Sequence, residues 1–193
     1  MVTASQNPFR TDRIHALDYQ LIGETWDQLL ARLAALGYRA AITGPHGHGK
    51  STCLRALESR LENLGFRVRL LFLNEEHPRF AHGFLDTLIQ DISPNDIVLF
   101  DGSEQLGGWA WRRFLRATRK AKGLIITLHQ PGRLPTLHTC RTSPELLVNL
   151  LRQLEAEHIL SPGVSPALLF DRHQGNLRDI FFSLYDLLAV AAL

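Results

Sequence analysis

The amino-acid sequence predicts a three-layer α/β fold, a parallel sheet with helices on both faces, followed by a small all-helical segment. Short apolar runs alternate with helical patterns up to about residue 143, and strands that alternate with helices in this way form parallel sheets. Only helical patterns follow. We therefore expect an α/β core over 1–143, with an irregular lead-in at 1–24, and a helical domain over 144–193.

The composition is that of a globular protein without a membrane span. Hydrophobic residues make up 45% of the 193 residues, but no apolar run approaches the ~20 residues that a span needs. The N-terminus lacks the apolar segment of a secretory signal, and Cys53 and Cys140 show neither a pairing pattern nor metal-ligand spacing. We expect a cytoplasmic protein with no membrane partner. The net charge of +2 is too small to indicate nucleic acid by itself.

A helix and a strand lead into a glycine-rich loop. Thr25 begins the helix, because Gln28 follows three residues later as in a capping box and leucines recur at helical spacing until Gly37. Residues 38–43 are mostly apolar and short enough for a buried strand. After the loop, leucines again recur at helical spacing, and Gly65 ends this second helix.

The alternation of strands and helices continues to residue 140. FRVRLLFLN (66–74) predicts a strand, DIVLFD (96–101) and GLIITLH (123–129) predict buried strands, and TLHTC (136–140) predicts a fifth. Helices are predicted from the spacing of Phe80, Phe84 and Leu88, over the basic segment 107–122, from the spacing of Leu147, Val148, Leu151 and Leu154, and over 165–173 and 176–192.

Residues 44–52, GPHGHGKST, match the phosphate-loop (P-loop) pattern G-x-x-x-x-G-K-[ST] between a predicted strand and a predicted helix. Glycines let backbone N–H groups turn towards phosphate oxygens, and the helix N-terminus adds its positive dipole end. In such a loop Lys50 supplies charge to the β- and γ-phosphates, and the Ser51 hydroxyl ligates Mg²⁺. The predicted nucleotide-binding residues are Gly44, Pro45, His46, Gly47, His48, Gly49, Lys50, Ser51 and Thr52.

Two histidines, His46 and His48, occupy variable positions of this loop. They could tune phosphate binding with pH, because histidine changes its charge near neutrality. Solvent-exposed spacers are the simpler interpretation, and we expect them here.

Asp101 ends the buried strand 96–101, about 50 residues after the phosphate loop. A strand in this position delivers a carboxylate to the edge of the sheet, where a Walker B aspartate orders the Mg²⁺ shell. We therefore expect Ser51 and Asp101 to be the metal residues.

With these motifs in this order, residues 38–190 resemble the AAA+ ATPases, most of all their small origin-recognition and transposition-helper type. The resemblance implies ATP and Mg²⁺ as ligands, a P-loop NTPase core whose sheet has the strand order 5-1-4-3-2, and a helical lid over 144–193.

Two further motifs carry the resemblance. GLIITLH lies where the family has sensor 1, a polar residue at a strand tip, which Thr127 or His129 would fill. HQGNLRDIFFSLYDLL (173–188) resembles sensor 2, a glycine followed three residues later by an arginine. The resemblance implies that Gly175 opens this motif and that Arg178 reaches the γ-phosphate.

The sequence departs from the family at the catalytic glutamate. The family places a glutamate directly after the Walker B aspartate, but Gly102 occupies that position here. Glu104 follows two residues later and is the expected catalytic base, although a first-turn acid that stabilises the next helix would look the same. Glu75 and Glu76, after the strand 66–74, are alternative bases, and the remaining alternative is a chain without an efficient base.

The segment WAWRRFLRATRKAKG (109–123) is strongly basic. Its cations could bind nucleic-acid phosphates, supply an arginine finger to a neighbouring copy in a homo-oligomer, or form a solvated helix face. Arg133 is another candidate finger, and Trp109 and Trp111 could face a partner or the core. The cations are Arg112, Arg113, Arg116, Arg119, Lys120 and Lys122.

The sequence therefore predicts an ATP-driven switch, a slow or partner-stimulated ATPase that acts on a protein or nucleic-acid partner. A P-loop small-molecule kinase is one alternative, although only Arg133 and Arg141 follow the fourth strand as lid arginines. A non-hydrolysing nucleotide sensor or DNA-associated adaptor is another, because of Gly102 and the basic segment. A GTPase is not expected, since no N-K-x-D motif occurs.

Overall fold

The structure is a computed structural model that describes residues 7–157 and 165–190. In these ranges one sheet is formed by β1 (Arg39–Thr43), β2 (Arg67–Phe72), β3 (Asp96–Asp101), β4 (Gly123–Leu128) and β5 (Thr136–Thr139). The strands follow the order β2-β3-β4-β1-β5, and each neighbouring pair is parallel. Counted from β5, this is the order 5-1-4-3-2 expected from the sequence.

A short helix, Thr11–His15, forms in the lead-in that was predicted to be irregular, and the other helices lie near their predicted positions with two differences. The basic helix ends at Ala117, five residues earlier than predicted, and the Thr118 hydroxyl after it donates to the carbonyl of Phe114 at 3.1 Å. The helix predicted from Phe80 begins only at Phe84. Phe80 lies before it, and its ring packs against those of Phe100 and Phe114. The helices described are α1 (Thr11–His15), α2 (Trp26–Ala35), α3 (Lys50–Asn63), α4 (Phe84–Asp91), α5 (Gly108–Ala117), α6 (Pro144–Gln153), α7 (Pro166–Arg172) and α8 (Leu177–Val190). Over the described residues, none is both long and apolar enough to span a bilayer.

The chain divides into two compact units. The sheet unit comprises Gln20–Gly44 and Cys53–Thr139 and contains the five strands. The helical unit comprises Met1–Tyr19, Pro45–Thr52 and Cys140–Leu193, and it contains α1, α6, α7 and α8 as well as most of the phosphate loop.

The core of the sheet unit lies on both faces of the sheet. On one face Phe100 of β3 and Leu124 of β4 pack in a cluster with Phe114 of α5. The neighbouring residues Leu99 and Ile125, which point to the opposite face, are also fully buried. Continuous apolar strands are expected in a parallel sheet, because helices cover it from both sides. The capping box of α2 forms as predicted, with Thr25 and Gln28 exchanging both bonds.

The helical unit has its own apolar cluster, built from α6, α7 and α8. The predicted irregular lead-in contributes to it, since Phe9 is 3% exposed and stacks on Phe181 at 5.9 Å between ring centres. Ser143 and Ser165 cap α6 and α7, each followed by a proline whose fixed φ suits the first helical position. The part of the lead-in around Phe9 is thus packed in this unit, which also includes the short α1.

A buried carboxylate, Asp96, fixes the start of β3. Arg67 and Arg69 of β2 both pair with it, and the Ser93 amide and hydroxyl donate to its two oxygens at 3.1 and 2.8 Å. Burial alone would raise the pKa of this carboxyl, but the hydrogen bonds from the arginines and Ser93 outweigh burial and hold the pKa well below its usual range. Asp96 therefore joins the two strands as an ion at neutral pH.

We predict that Asp96→Asn lowers the free energy of unfolding by about 2 kcal/mol at pH 7, because it removes a buried charge that accepts from both arginines and from Ser93. A depressed pKa contributes stability above the unfolded value of ~4, and this contribution is lost as the pH falls through the folded value. The difference between Asp96→Asn and the wild type should therefore shrink below pH ~4 in urea titrations. Asp186→Asn, at an exposed position of α8, is the control. An equal difference at pH 3 and pH 7 would contradict the ionic role.

Candidate functional site

The predicted phosphate loop joins β1 to α3. Lys50 is the first residue of α3, is only 9% exposed, and donates from Nζ to the carbonyl oxygen of Pro45 at 2.8 Å. Gly47 and Gly49 have φ values of 70° and 83°, a region that favours glycine. Ser51 lies in the first turn of α3 and is half-buried. The lysine ammonium is thus held at the loop by the loop's own backbone.

Asn176 lies against this loop, and sequence analysis did not single it out as a site residue. A side chain at Gly47 would overlap the amide group of Asn176, so the loop approaches this amide closely. The same amide caps α8, since Oδ1 accepts from the Asp179 amide at 3.2 Å and Nδ2 donates to the Asp179 carboxylate at 2.7 Å. Asparagine just before a helix is the sequence signal for the cap, but not for the contact with the loop.

A second contact joins the loop to the segment before α6. The Thr142 hydroxyl donates to the carbonyl of Gly175 at 2.9 Å and lies 3.4 Å from Nδ1 of His48. His48 is therefore half-buried and not the exposed spacer expected, whereas His46 is exposed. Burial lowers the pKa of the His48 imidazole, and the charge of Lys50 lowers it further, which favours the neutral ring.

Asp101 ends β3 and is held there by Thr127 of β4. The Thr127 hydroxyl donates to Oδ1 of Asp101 at 2.7 Å and accepts from the Gly102 amide at 2.9 Å. The Thr127 carbonyl accepts from the Ser103 hydroxyl at 2.7 Å. A hydroxyl has one proton, so that of Thr127 is committed to Asp101. Among the described residues, no side chain donates to Oδ2 of Asp101, which suits a metal-bound water.

Gly102 explains why the chain has no glutamate directly after Asp101. It has a φ of 82°, and a Cβ at this position would overlap the carbonyl oxygen of Leu73, just after β2. The backbone is this close because the Leu73 amide donates to the Asp101 carbonyl at 3.0 Å. Only glycine fits without a backbone shift. The acidic side chain of this turn therefore comes two residues later.

Glu104 lies in a 3₁₀ turn, Ser103–Gln105, that follows Gly102. Its Oε1 is 3.0 Å from Nε2 of His129, the residue after β4. Its Oε2 is buried, and no donor pairs with it in the part of the chain that the structure describes. A buried carboxylate oxygen without a donor costs about 1–3 kcal/mol, so a ligand that donates to this oxygen would relieve the cost.

Arg133 holds both ends of this turn. Its guanidinium donates to the carbonyl oxygens of Ser103 and Leu106 and lies over the Trp111 ring, 4.8 Å from the ring centre. Burial lowers the pKa of Arg133, and the Glu104 carboxylate opposes that change. The guanidinium is bonded in this way within its own chain, so Arg133 positions the turn, and its role as a finger stays a prediction.

The alternative bases Glu75 and Glu76 and the sensor 2 candidate Arg178 are exposed. Glu75 and Glu76 lie in a turn after β2, where the His77 amide donates to the side chain of Asn74 at 2.6 Å. Arg178 is exposed in the first turn of α8. The turn after β3 therefore carries the acid with the more enclosed environment, Glu104.

The chain is distantly similar to the solved structure of a RuvB variant from Thermotoga maritima. The similarity covers 83% of this chain and 67% of that one, with 14% sequence identity and a TM-score of 0.49. No protein-family model matches the chain, and no curated protein matches it. At this distance the likeness carries no argument about family or activity, so function is inferred from the residues of the site.

We predict that Gly102→Ala lowers the free energy of unfolding by about 3 kcal/mol, because its Cβ meets backbone and its φ is positive. Urea titration measures this change. Gly108→Ala is the matched control, since nothing lies within 4 Å of its added Cβ and alanine favours the helix. A Gly102→Ala protein as stable as the control would show that the turn shifts at little cost.

Proposed function

We propose that the protein binds Mg-ATP and hydrolyses it slowly, as an AAA+-like switch. The observation that carries the proposal is the phosphate loop between β1 and α3, with Lys50 held inside it by the Pro45 carbonyl. A buried ammonium within a glycine-rich backbone is suited to a polyphosphate. The turn after β3 supplies the second requirement, carboxylates with oxygens to which no side chain of the described residues donates.

The phosphate loop would hold the nucleotide, with Lys50 exchanging the Pro45 carbonyl for phosphate oxygens. Ser51, in the first turn of α3, and Asp101, at the end of β3, would take part in the metal shell. When bound, Mg²⁺ would supply positive charge that neutralises the phosphates. Thr127 would act through Asp101, because its hydroxyl proton already binds that carboxylate.

Glu104 is the residue proposed to activate the attacking water. Its Oε2 would accept a proton from water as the water oxygen bonds to the γ-phosphorus and the bond to the β-phosphate oxygen breaks. His129, the residue after β4, lies 3.0 Å from the other carboxylate oxygen, and either it or Thr127 would fill the sensor 1 position. Turnover would be slow or partner-stimulated if the arginine finger comes from another copy, as the sequence allows.

The helical unit offers a route by which nucleotide would be sensed. His48 and Gly47 of the loop contact Thr142 and Asn176, and Asn176 also caps α8, where Arg178 lies. A change in the loop on phosphate binding would therefore reach the N-terminus of α8 through two side chains. Arg178 is the residue proposed to respond to the γ-phosphate.

The first test is ATP binding and turnover with Mg²⁺ for the wild type, Lys50→Ala and Glu104→Gln. We expect Lys50→Ala to weaken ATP binding at least about tenfold, because it removes the charge that faces the phosphates. We expect Glu104→Gln to bind ATP normally and to lose at least about a hundredfold in turnover, because the amide cannot accept the proton.

Matched controls are Lys120→Ala and Glu62→Gln, both at exposed positions. ATP affinity unchanged by Lys50→Ala would refute the nucleotide site. Lys50-dependent ATP binding without turnover, at every protein concentration tried, would favour a non-hydrolysing sensor. Phosphate transfer to a small-molecule acceptor in place of water would favour the kinase.

Hydrogen exchange tests the switch. We expect saturating Mg-ATP to slow amide exchange at residues 140–143 and 173–180. These segments contain Thr142 and Asn176, which contact the loop, and the start of α8, which Asn176 caps. Exchange in α4 should be unchanged. Arg178→Ala should retain ATP binding but reduce the protection at 173–180. Equal exchange with and without nucleotide in these segments would rule out the proposed transmission.

A further inference from the structure

One face of α5 combines an exposed indole ring with arginines. Trp109, Arg112, Arg113 and Arg116 have the spacing i, i+3, i+4 and i+7, which places them on one side of the helix, and all four are exposed. The Trp109 side chain is 76% exposed, although tryptophan is usually among the most buried residues on average. These four residues are called the α5 outer face.

The second tryptophan of this helix behaves differently. Trp111 is half-buried, its ring lies 5.8 Å from that of Phe114, and the Arg133 guanidinium lies over its other side. Of the two tryptophans of α5, Trp111 is therefore the one that packs against the core of the sheet unit and against Arg133, which holds the turn at Glu104. Trp109 takes no part in that packing, and its exposure is not explained by the fold.

Trp109 borders two depressions of the sheet unit, of about 210 and 570 Å³. Both are also lined by Arg79 and Leu106, and the smaller one by His82 and Arg113. Neither lining includes an aspartate or a glutamate among the described residues. The Arg113 guanidinium lies over the Trp109 ring, 6.0 Å from its centre, so a flat ring would stack on the other face of the indole, with open space beside it.

The surroundings of the α5 outer face are positive. Residues 105–144 contain eight arginines and lysines and no aspartate or glutamate. Arg113 pairs with the exposed Asp86 at 3.0 Å, but over the described ranges no carboxylate forms an ion pair with Arg112 or Arg116. Two guanidiniums one helical turn apart, ~6 Å along the axis, are therefore available to an anionic ligand.

We propose that the α5 outer face binds single-stranded nucleic acid, with a base stacked on Trp109 and successive phosphates paired with Arg112 and Arg116. Single strands offer repeated phosphates and unstacked bases together. The phosphates would bind the arginines of this face, and a base would stack on its exposed indole ring. An acidic polypeptide would satisfy the arginines but does not repeat a ring beside each charge, and a duplex keeps its bases stacked inside. This inference names the partner of the proposed ATP switch and in that respect rests on the proposed function.

Binding of the strand is tested without ATP. A negative result then contradicts this proposal and leaves the proposed ATPase activity untouched. The probes are fluorescein-labelled 20-mers of deoxythymidine and of uridine, measured by anisotropy with the full chain at 50 mM salt. We expect Trp109→Ala to weaken binding about tenfold, since stacking of a base on an aromatic ring contributes that much. Phe182→Ala, which removes an exposed ring of α8, should bind as the wild type does.

The arginines are tested through salt dependence. The double variant Arg112→Gln/Arg116→Gln should reduce the slope of log K against log salt by about 1.4, since each phosphate contact on a single strand contributes about 0.7. Arg172→Gln, at an exposed position of α7, should leave the slope unchanged. A thermal unfolding midpoint equal to that of the wild type would show that the variants are folded.

Three further probes decide the identity of the ligand. A 20-mer of the same charge that lacks bases should bind about as weakly to the wild type as thymidine binds to Trp109→Ala. Equal binding of the base-free strand, of a duplex, or of polyglutamate by the wild type would overturn the proposal, and so would the absence of binding at 50 mM salt. The thymidine and uridine strands distinguish DNA from RNA, and stronger binding of either strand supports the site.

Discussion

The hydroxyl of Thr127 holds together the part of the sheet edge where chemistry is expected. It donates to Asp101 and accepts from the Gly102 amide, while the carbonyl of the same residue binds the Ser103 hydroxyl. These bonds fasten the turn after β3 to the end of β4. Since Glu104 follows directly in that turn, the orientation of its carboxylate depends on a neutral, buried threonine.

The close packing of β3 against β2 imposes the second constraint. Leu73 and Asp101 are paired so tightly that only a residue without a side chain fits at Gly102. An acid directly after Asp101 is excluded by sterics, and the 3₁₀ turn instead directs Glu104 towards His129. A displaced acid in an enclosed setting is thus a consequence of backbone packing and is compatible with a catalytic role.

In the helical unit and in the turn after β3, polar side chains join segments that are distant in the sequence. In the helical unit, two polar side chains, Thr142 and Asn176, contact the phosphate loop and the start of α8. In the sheet unit, Arg133 ties the turn that carries Glu104 to the loop after β4. In both places one or two side chains make the connection.

The sequence by itself determined the parallel fold, the capping box and the phosphate loop, because periodicity, turn residues and the spacing of Gly44 to Ser51 are local signals. The strand order was implied by the resemblance to the AAA+ ATPases and not by these local signals. Only the tertiary structure decided which acid is enclosed, which tryptophan is exposed, and what Asn176 touches. Glu104 and Glu76 look equivalent in sequence, and only contacts with distant strands separate them. Burial and hydrogen bonding of such residues depend on segments remote in the chain, which local patterns do not encode.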